Sequence, residues 1–400
     1  MRRWLRRTVC ALSGALIIAP AIANAEELGP RLSAEARLRY ELAEDADAGT
    51  SSDALAARLR TTAEAPLFAG WSALGELEFI GAASDEEADQ HRVRPLAHDI
   101  DAVDLNRLQL HWTGSDRQLT LGRQRIELDD SRFLGSSPFR LNDRTFDAAT
   151  GSALIAERVS VEVGAFWRVQ TPAGPRSDVG VLEGESWFLN ASAATGLGQM
   201  TAFHYALDLD DGLGAPASNA RSSATTGLRI ERRVPLVDYL VDLEAAFATQ
   251  TAFAGNPTQY DAEYYVVGVS AVGEFLEVGA RYEELGADEG GAFQTPLANL
   301  HAFNGRADIF TTTPDAGLID ATVELVIRQP GASWLRSPAL SIAFHDFEAS
   351  RGDTQYGREW DVRFTAALFG QPVGIEYADY RADRFPQDTR RLFVFAQRRF

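Results

Sequence analysis

The chain has 400 residues, a formal charge of −19 and a single cysteine. So acidic a balance excludes a nucleic-acid binder, which needs a basic footprint. With its one cysteine, Cys10, close to the N-terminus, disulfides and thiolate chemistry are excluded from the rest of the chain.

In chain order, residues 1–25 read as a secretory signal. MRRWLRR is the basic region, VCALSGALIIA the apolar run, and Ala23-Asn24-Ala25 the cleavage site, with the mature start near Glu26. Removing Arg2, Arg3, Arg6 and Arg7 with it takes the formal charge from −19 to −23. Residues 26–400 show no linker and are expected to form one domain. No later apolar run approaches the roughly 20 residues of a membrane helix. All 38 basic side chains are arginine, which stays charged and pairs bidentately with carboxylates, sulfates and phosphates.

RLSAEARLRYEL at 31–42 puts Leu32, Ala34, Ala36, Leu38, Tyr40 and Leu42 on one face and charges on the other. That strict period of two predicts a strand with one apolar and one polar face. The pattern recurs at 53–65, 70–82, 102–113, 118–128, 141–150, 154–170, 184–194 and 199–209. It continues at 221–233, 237–250, 259–271, 274–285, 317–328, 338–348, 357–369, 372–382 and 390–400. No helical period competes.

Connections alternate along the chain. Long acidic ones such as AEDADAGTSSD (43–53) and GAASDEEADQHRVRPLAHDI (81–100) follow odd strands. Tight ones such as GSDR (114–117), TGLG (195–198) and GQP (370–372) follow even strands. Short turns at one rim and long loops at the other predict a transmembrane antiparallel β-barrel of about 18 strands in a bacterial outer membrane, with periplasmic turns and extracellular loops. The terminal strand RLFVFAQRRF, ending on Phe400, fits recognition by the barrel assembly machinery. A soluble β-sandwich is the rival, but it gives no reason for paired long and short connections.

In a barrel the polar faces line the lumen. By parity they include Arg37, Arg39, Arg58, Arg60, Arg107, Arg158, Arg168, Arg229, Arg281, Arg328 and Arg363, with Glu35, Glu76, Glu78, Glu162 and Glu244 among the acids. Such charges either pair across strands or line a hydrated, anion-selecting passage. The stretch LGRQRIELDDSRFLGSSPFRLNDRTFDA (121–148) is densest. Its alternation changes phase, outward at Leu119 and Leu121 but at Ile126 and Leu128 afterwards, which predicts a β-bulge at Gly122. A loop then leads to a strand with Phe146 outward and Asp147 inward. Arg123, Arg125, Arg132, Arg140 and Arg144, with Asp129, Asp130 and Asp147, are the predicted channel-lining or solute-contacting set. The arginines would offer bidentate contacts to carboxylates, and the aspartates would hold them.

The same stretch resembles a motif of the alginate export family of outer-membrane barrels, through Gly122-Arg123-Gln124, Arg132-Phe133, Gly135, Phe139-Arg140, Asn142 and Thr145-Phe146-Asp147-Ala148. FQTPLANLHAFNGRADIFTTTPDAGLID (293–320) resembles a second family segment. Departures are Phe139 for a tryptophan, Arg144 for a glutamine and Arg306 for a tryptophan. The resemblance implies a channel for an anionic oligo- or polysaccharide; general and sugar-uptake porins are its alternative.

None of His91, His98, His111, His204, His301 and His345 sits in a nucleophile or H-E-x-x-H metal motif. LDLDDG (207–212) lacks EF-hand spacing. No catalytic residue, metal or cofactor is expected, and a barrel enzyme or non-conducting surface protein is the more distant reading. The expected molecule is a monomer in outer-membrane lipid and lipopolysaccharide, with no nucleic-acid partner.

Overall fold

A computed structural model of the protein describes residues 29–45, 50–84, 102–174, 177, 179–210 and 219–400. The signal segment, His91, His98 and most of the 81–100 connection lie outside them. Eighteen strands form in sequence: β1 Arg31–Asp45, β2 Thr50–Pro66, β3 Trp71–Ser84, β4 Ala102–Thr113, β5 Arg117–Gln124, β6 Thr145–Ile155, β7 Val159–Gln170, β8 Val181–Thr195 and β9 Gly198–Leu207. The second half comprises β10 Ser223–Leu236, β11 Tyr239–Ala252, β12 Asp261–Val272, β13 Leu276–Leu285, β14 Leu318–Arg328, β15 Leu335–Glu348, β16 Gln355–Leu368, β17 Gln371–Ala382 and β18 Thr389–Arg399. Each pairs antiparallel with its chain neighbours, and β1 also pairs with β18, which closes the sheet into a barrel. Closure leaves no unpaired edge, the condition for a sheet to cross a bilayer.

The outer wall is apolar because one face of every strand is. Leu38, Leu55, Phe79, Leu108, Leu228, Val267, Val323 and Ile375 are all exposed there. Near the short-turn rim Trp71 pairs with Trp112, whose indole Nε1 donates to Ala69 O at 3.0 Å. Aromatic residues at this height match the girdle of a barrel in lipid. The tight turn at 156–158, between paired Ile155 and Val159, carries Ala156 and Glu157 in left-handed conformations at φ 51° and 58°.

Three local expectations are corrected. The first long loop is mostly strand, since β1 runs to Asp45 and β2 starts at Thr50. Gly122 carries no bulge: its ladders to Gln109 and Ala148 run unbroken. Its φ is +107°, and a Cβ there would stand 2.3 Å from Leu108 O, so it serves close backbone approach. The phase change has another cause. β5 stops at Gln124, and Ile126 and Leu128 are buried inside the barrel rather than facing lipid. The ladders are shifted instead between Asp147 and Ala148 and between Phe166 and Arg168.

Candidate functional site: two straps inside the lumen

Two connections fold inward. Residues 125–144, after the short β5, form a first strap, and residues 286–317, between β13 and β14, form a second. Asp129, Ser131 and Ser137 turn the first strap through left-handed conformations, φ 53°, 62° and 53°. Asp130 Oδ1 accepts the Arg132 N–H at 3.1 Å, a local turn bond that aspartate favours. Phe133 then enters a nest of Phe203, Tyr205, Tyr264 and Phe293, with ring centroids 5.1–6.0 Å away. Aromatic pairs of this kind contribute about 1 kcal/mol each beyond burial.

The straps hold each other. Gly135 N–H donates to Leu297 O at 2.9 Å, and Asn299 N–H donates to Ser131 O at 3.0 Å. Arg132, 1% exposed, donates to Glu283 on β13 at 2.8 Å, to Thr295 at 3.0 Å and to Asn304 at 2.9 Å. Among the described residues Arg144 meets no carboxylate; it donates to the carbonyls of Gly135, Ala298 and Pro296. Burial, then the nearby Arg140 charge, lowers its guanidinium to about 9. Phe139 stacks on His301 at 3.4 Å, and Arg140 Nη2 lies 3.6 Å from Asp308. The two sequence motifs therefore meet as one interlocked unit.

Wall arginines anchor the first strap from the other side. Arg37 donates to Pro138 O at 2.8 Å, Arg39 to Phe139 O at 3.1 Å and Arg58 to Leu141 O at 2.7 Å. On the second strap, His301 Nδ1 lies 3.0 Å from Asp308 Oδ1 and Nε2 3.1 Å from Glu376 Oε2. Asn304, at φ 55°, donates to Glu283 and Asp320. Burial alone would raise the Asp308 carboxyl, but His301 and Arg140 outweigh it and hold Asp308 well below the usual range. Burial raises Asp129, despite hydrogen bonds from Asn190 and Tyr205.

The structure thus disperses the predicted set. Arg132, Arg144, Arg37 and Arg39 are buried braces, Asp129 and Asp130 anchor the first strap, and Arg140 reaches across to the second. Asp130 Oδ2 binds Arg229 at 2.6 Å. Arg123 and Asp147 pair at 2.7 Å but leave the lumen set. Arg123 lies opposite outward Leu108, and Asp147 lies opposite Arg123, so both share the outer face. Phe146 is correspondingly inward, in the buried cluster with Phe166. The same shift of ladder places Arg168 opposite Asp147 on the outer face, bonded to Glu183. Arg158 is exposed at the short turn after β6.

Guanidinium groups that remain part-exposed in the lumen cluster around shared carboxylates. Arg306 and Arg363 converge on opposite oxygens of Glu376 at 3.0 and 2.8 Å, with side-chain exposures of 23% and 36%. Arg107 and Arg125 converge on Glu76 at 2.5 and 2.8 Å, where Arg60 also approaches at 3.4 Å. Arg125 also binds Asp143. Around Glu76 the three arginines are matched by Glu76, Glu78 and Asp143, whereas at Glu376 two part-exposed guanidiniums share one carboxylate and can turn N–H groups to an arriving anion. Sequence reading passed over Arg306, except as a departure, and passed over Glu376 and Glu283. Glu376, between the apolar Ile375 and Tyr377, carried the inward parity that could have found it.

A closed 18-strand antiparallel barrel with an apolar outer wall and a charged lumen defines a porin-like protein of the bacterial outer membrane. No family model matches the sequence, and a search of curated proteins gives no match. Solved structures do match in fold. OccK9 (OpdG) of Pseudomonas aeruginosa is similar with a TM-score of 0.69 at 13% identity, covering 93% of this chain and 98% of that one. OccK11 (OpdR) of the same organism is similar at 0.67 and 12%, covering 93% and 96%. OpdK, solved with vanillate, is similar at 0.66 and 12%, covering 92% and 98%.

Proposed function

We propose that this protein is a passive outer-membrane channel for a carboxylate-bearing solute, a uronate oligosaccharide or a comparable small acid. The observation that carries this reading is the pair of part-exposed guanidiniums, Arg306 and Arg363, sharing the single carboxylate of Glu376. A solute carboxylate exchanging against Glu376 would find two planar donors already oriented, and bidentate geometry favours carboxylates over chloride. The sequence resemblance to alginate exporters and the vanillate in OpdK both point to acids. Direction is set by the solute gradient, because nothing in a passive pore couples to energy.

A general porin is the second reading. It is favoured by the extent of pairing in the lumen, where Arg60 and Arg281 each bind two or more carboxylates. Reversal potential in planar bilayers under a salt gradient separates the two. The acid-selective reading predicts anion preference that falls in Arg306→Ala/Arg363→Ala and shifts on adding uronate oligomers. A reversal potential near zero and indifferent to both would leave the general porin.

A further inference from the structure

The second strap rests on β16 through two carboxyl groups that the transport reading does not use. Glu359 and Asp361 lie two residues apart on β16, so both project inward, and both are buried. Each takes one backbone N–H from the strap. Ala307 N–H donates to Glu359 Oε1 at 2.8 Å, and Arg306 N–H donates to Asp361 Oδ2 at 3.2 Å. Gly305, at φ +84°, lies over the same spot, where a Cβ would stand 2.5 Å from Glu359 Oε2. The strap backbone therefore sits directly on this pair.

The other two oxygens, Glu359 Oε2 and Asp361 Oδ1, are buried with no donor among the described residues. The two carboxyl groups take successive N–H groups of the strap, so they lie side by side beneath it, each with one of these buried oxygens. Two carboxylates are acceptors only, so a bond between them needs one of the two to carry a proton. We propose that Glu359 and Asp361 share a single proton and that this proton latches residues 304–308 of the second strap onto β16. Its loss leaves two facing charges under the strap backbone, which like-charge repulsion drives apart, and the strap lifts from the wall.

The groups around the pair are consistent with one proton. On β15 His345 stands opposite Glu359, with Nε2 3.5 Å from Asp361. Its Nδ1 is 2.9 Å from Asp320 on β14. On β17 Tyr380 stands opposite Glu359, and its hydroxyl donates to backbone carbonyls of Tyr356 and Phe385. From the strap, the Arg306 side chain is turned to Glu376, and Asp308 is held by His301 and Arg140. His345 is already shared between Asp320 and Asp361, so it does not replace the missing donor at Glu359 Oε2.

The test compares wild type with Glu359→Gln, whose amide can donate to Asp361 and still accept from Ala307 but cannot ionise. Single-channel conductance is recorded from neutral to alkaline pH. Wild type is expected to step to larger, noisier conductance as the proton leaves, whereas Glu359→Gln stays at its neutral level. The same alkaline step in the variant, or no step in wild type, overturns the latch. Infrared spectra at neutral pH give an arm independent of transport. The protonated-carboxyl carbonyl band of wild type should lose one component in Glu359→Gln; identical bands overturn the shared proton. If the variant does not fold, loss of that component from wild type over the same alkaline range carries the test, and its persistence through the conductance step overturns it.

Discussion

Arg132 and Arg363 both bind a glutamate on the barrel wall, yet they belong to different regions of the lumen. Arg132 is 1% exposed and ties the first strap to β13 and to the second strap, against Glu283 at 0%. Arg363 is 36% exposed on β16 and shares Glu376 with Arg306. Each guanidinium nitrogen of Arg132 donates to protein, whereas Arg363 faces water on part of its surface. In a wet barrel Arg132, Arg140 and Arg144 of the first motif turn out to be the fasteners, while Arg363 on a regular strand and Arg306 on the second strap meet the passage.

The largest break in this comparison should come from Arg132→Ala. It leaves Glu283 buried with only Arg281 of its two arginines, and losing a partner from a buried pair costs about 3–5 kcal/mol. The expected result is a lower heat-modification temperature on gels and larger, noisier conductance. Unchanged heat modification would show that the straps do not depend on this brace.

Gly305→Ala is expected to cost less, about 1–2 kcal/mol, the penalty of a side chain in the left-handed region. The Cβ also presses on Glu359, so limited trypsin digestion should cut the strap of this variant faster than that of wild type.

Acid dependence sharpens the same contrast. Asp308 is depressed in the folded state, so its stabilisation is present above the unfolded aspartate value of about 4. It fades only as pH falls below that value towards the depressed one. Wild-type conductance should therefore hold steady from neutral pH down to about 5. Asp308→Asn, which removes the charge facing His301 and Arg140, should already be noisier at neutral pH. A wild-type conductance step between those limits would contradict the depression.

The smallest structural effect belongs to Arg363→Ala. Heat modification should shift by no more than about 0.5 kcal/mol equivalent, as for a part-exposed site, while anion preference falls. A large loss of stability would place Arg363 with the braces.

All eighteen strands were legible because period two survives wherever one face meets lipid and the other water. The errors cluster where that condition fails. Ile126, Leu128 and Phe146 are apolar yet inward, packed in the buried cluster that the straps create inside the barrel. Parity reads any apolar side chain as lipid-facing, so it shifted the phase and exchanged the faces of Phe146 and Asp147. The two motifs were visible as sequence, but not their contact, because Arg132 and Asn304 are separated by 172 residues. Nor could local pattern show that Arg144 would donate to backbone carbonyls rather than to a solute.

The central claim is that Arg306 and Arg363 receive a carboxylate in transit. Single-channel recording with uronate oligomers on one side tests it most directly. The account predicts brief current interruptions whose frequency rises with oligomer concentration and which vanish in Arg306→Ala/Arg363→Ala. Interruptions just as frequent with neutral oligosaccharides of the same length would contradict it.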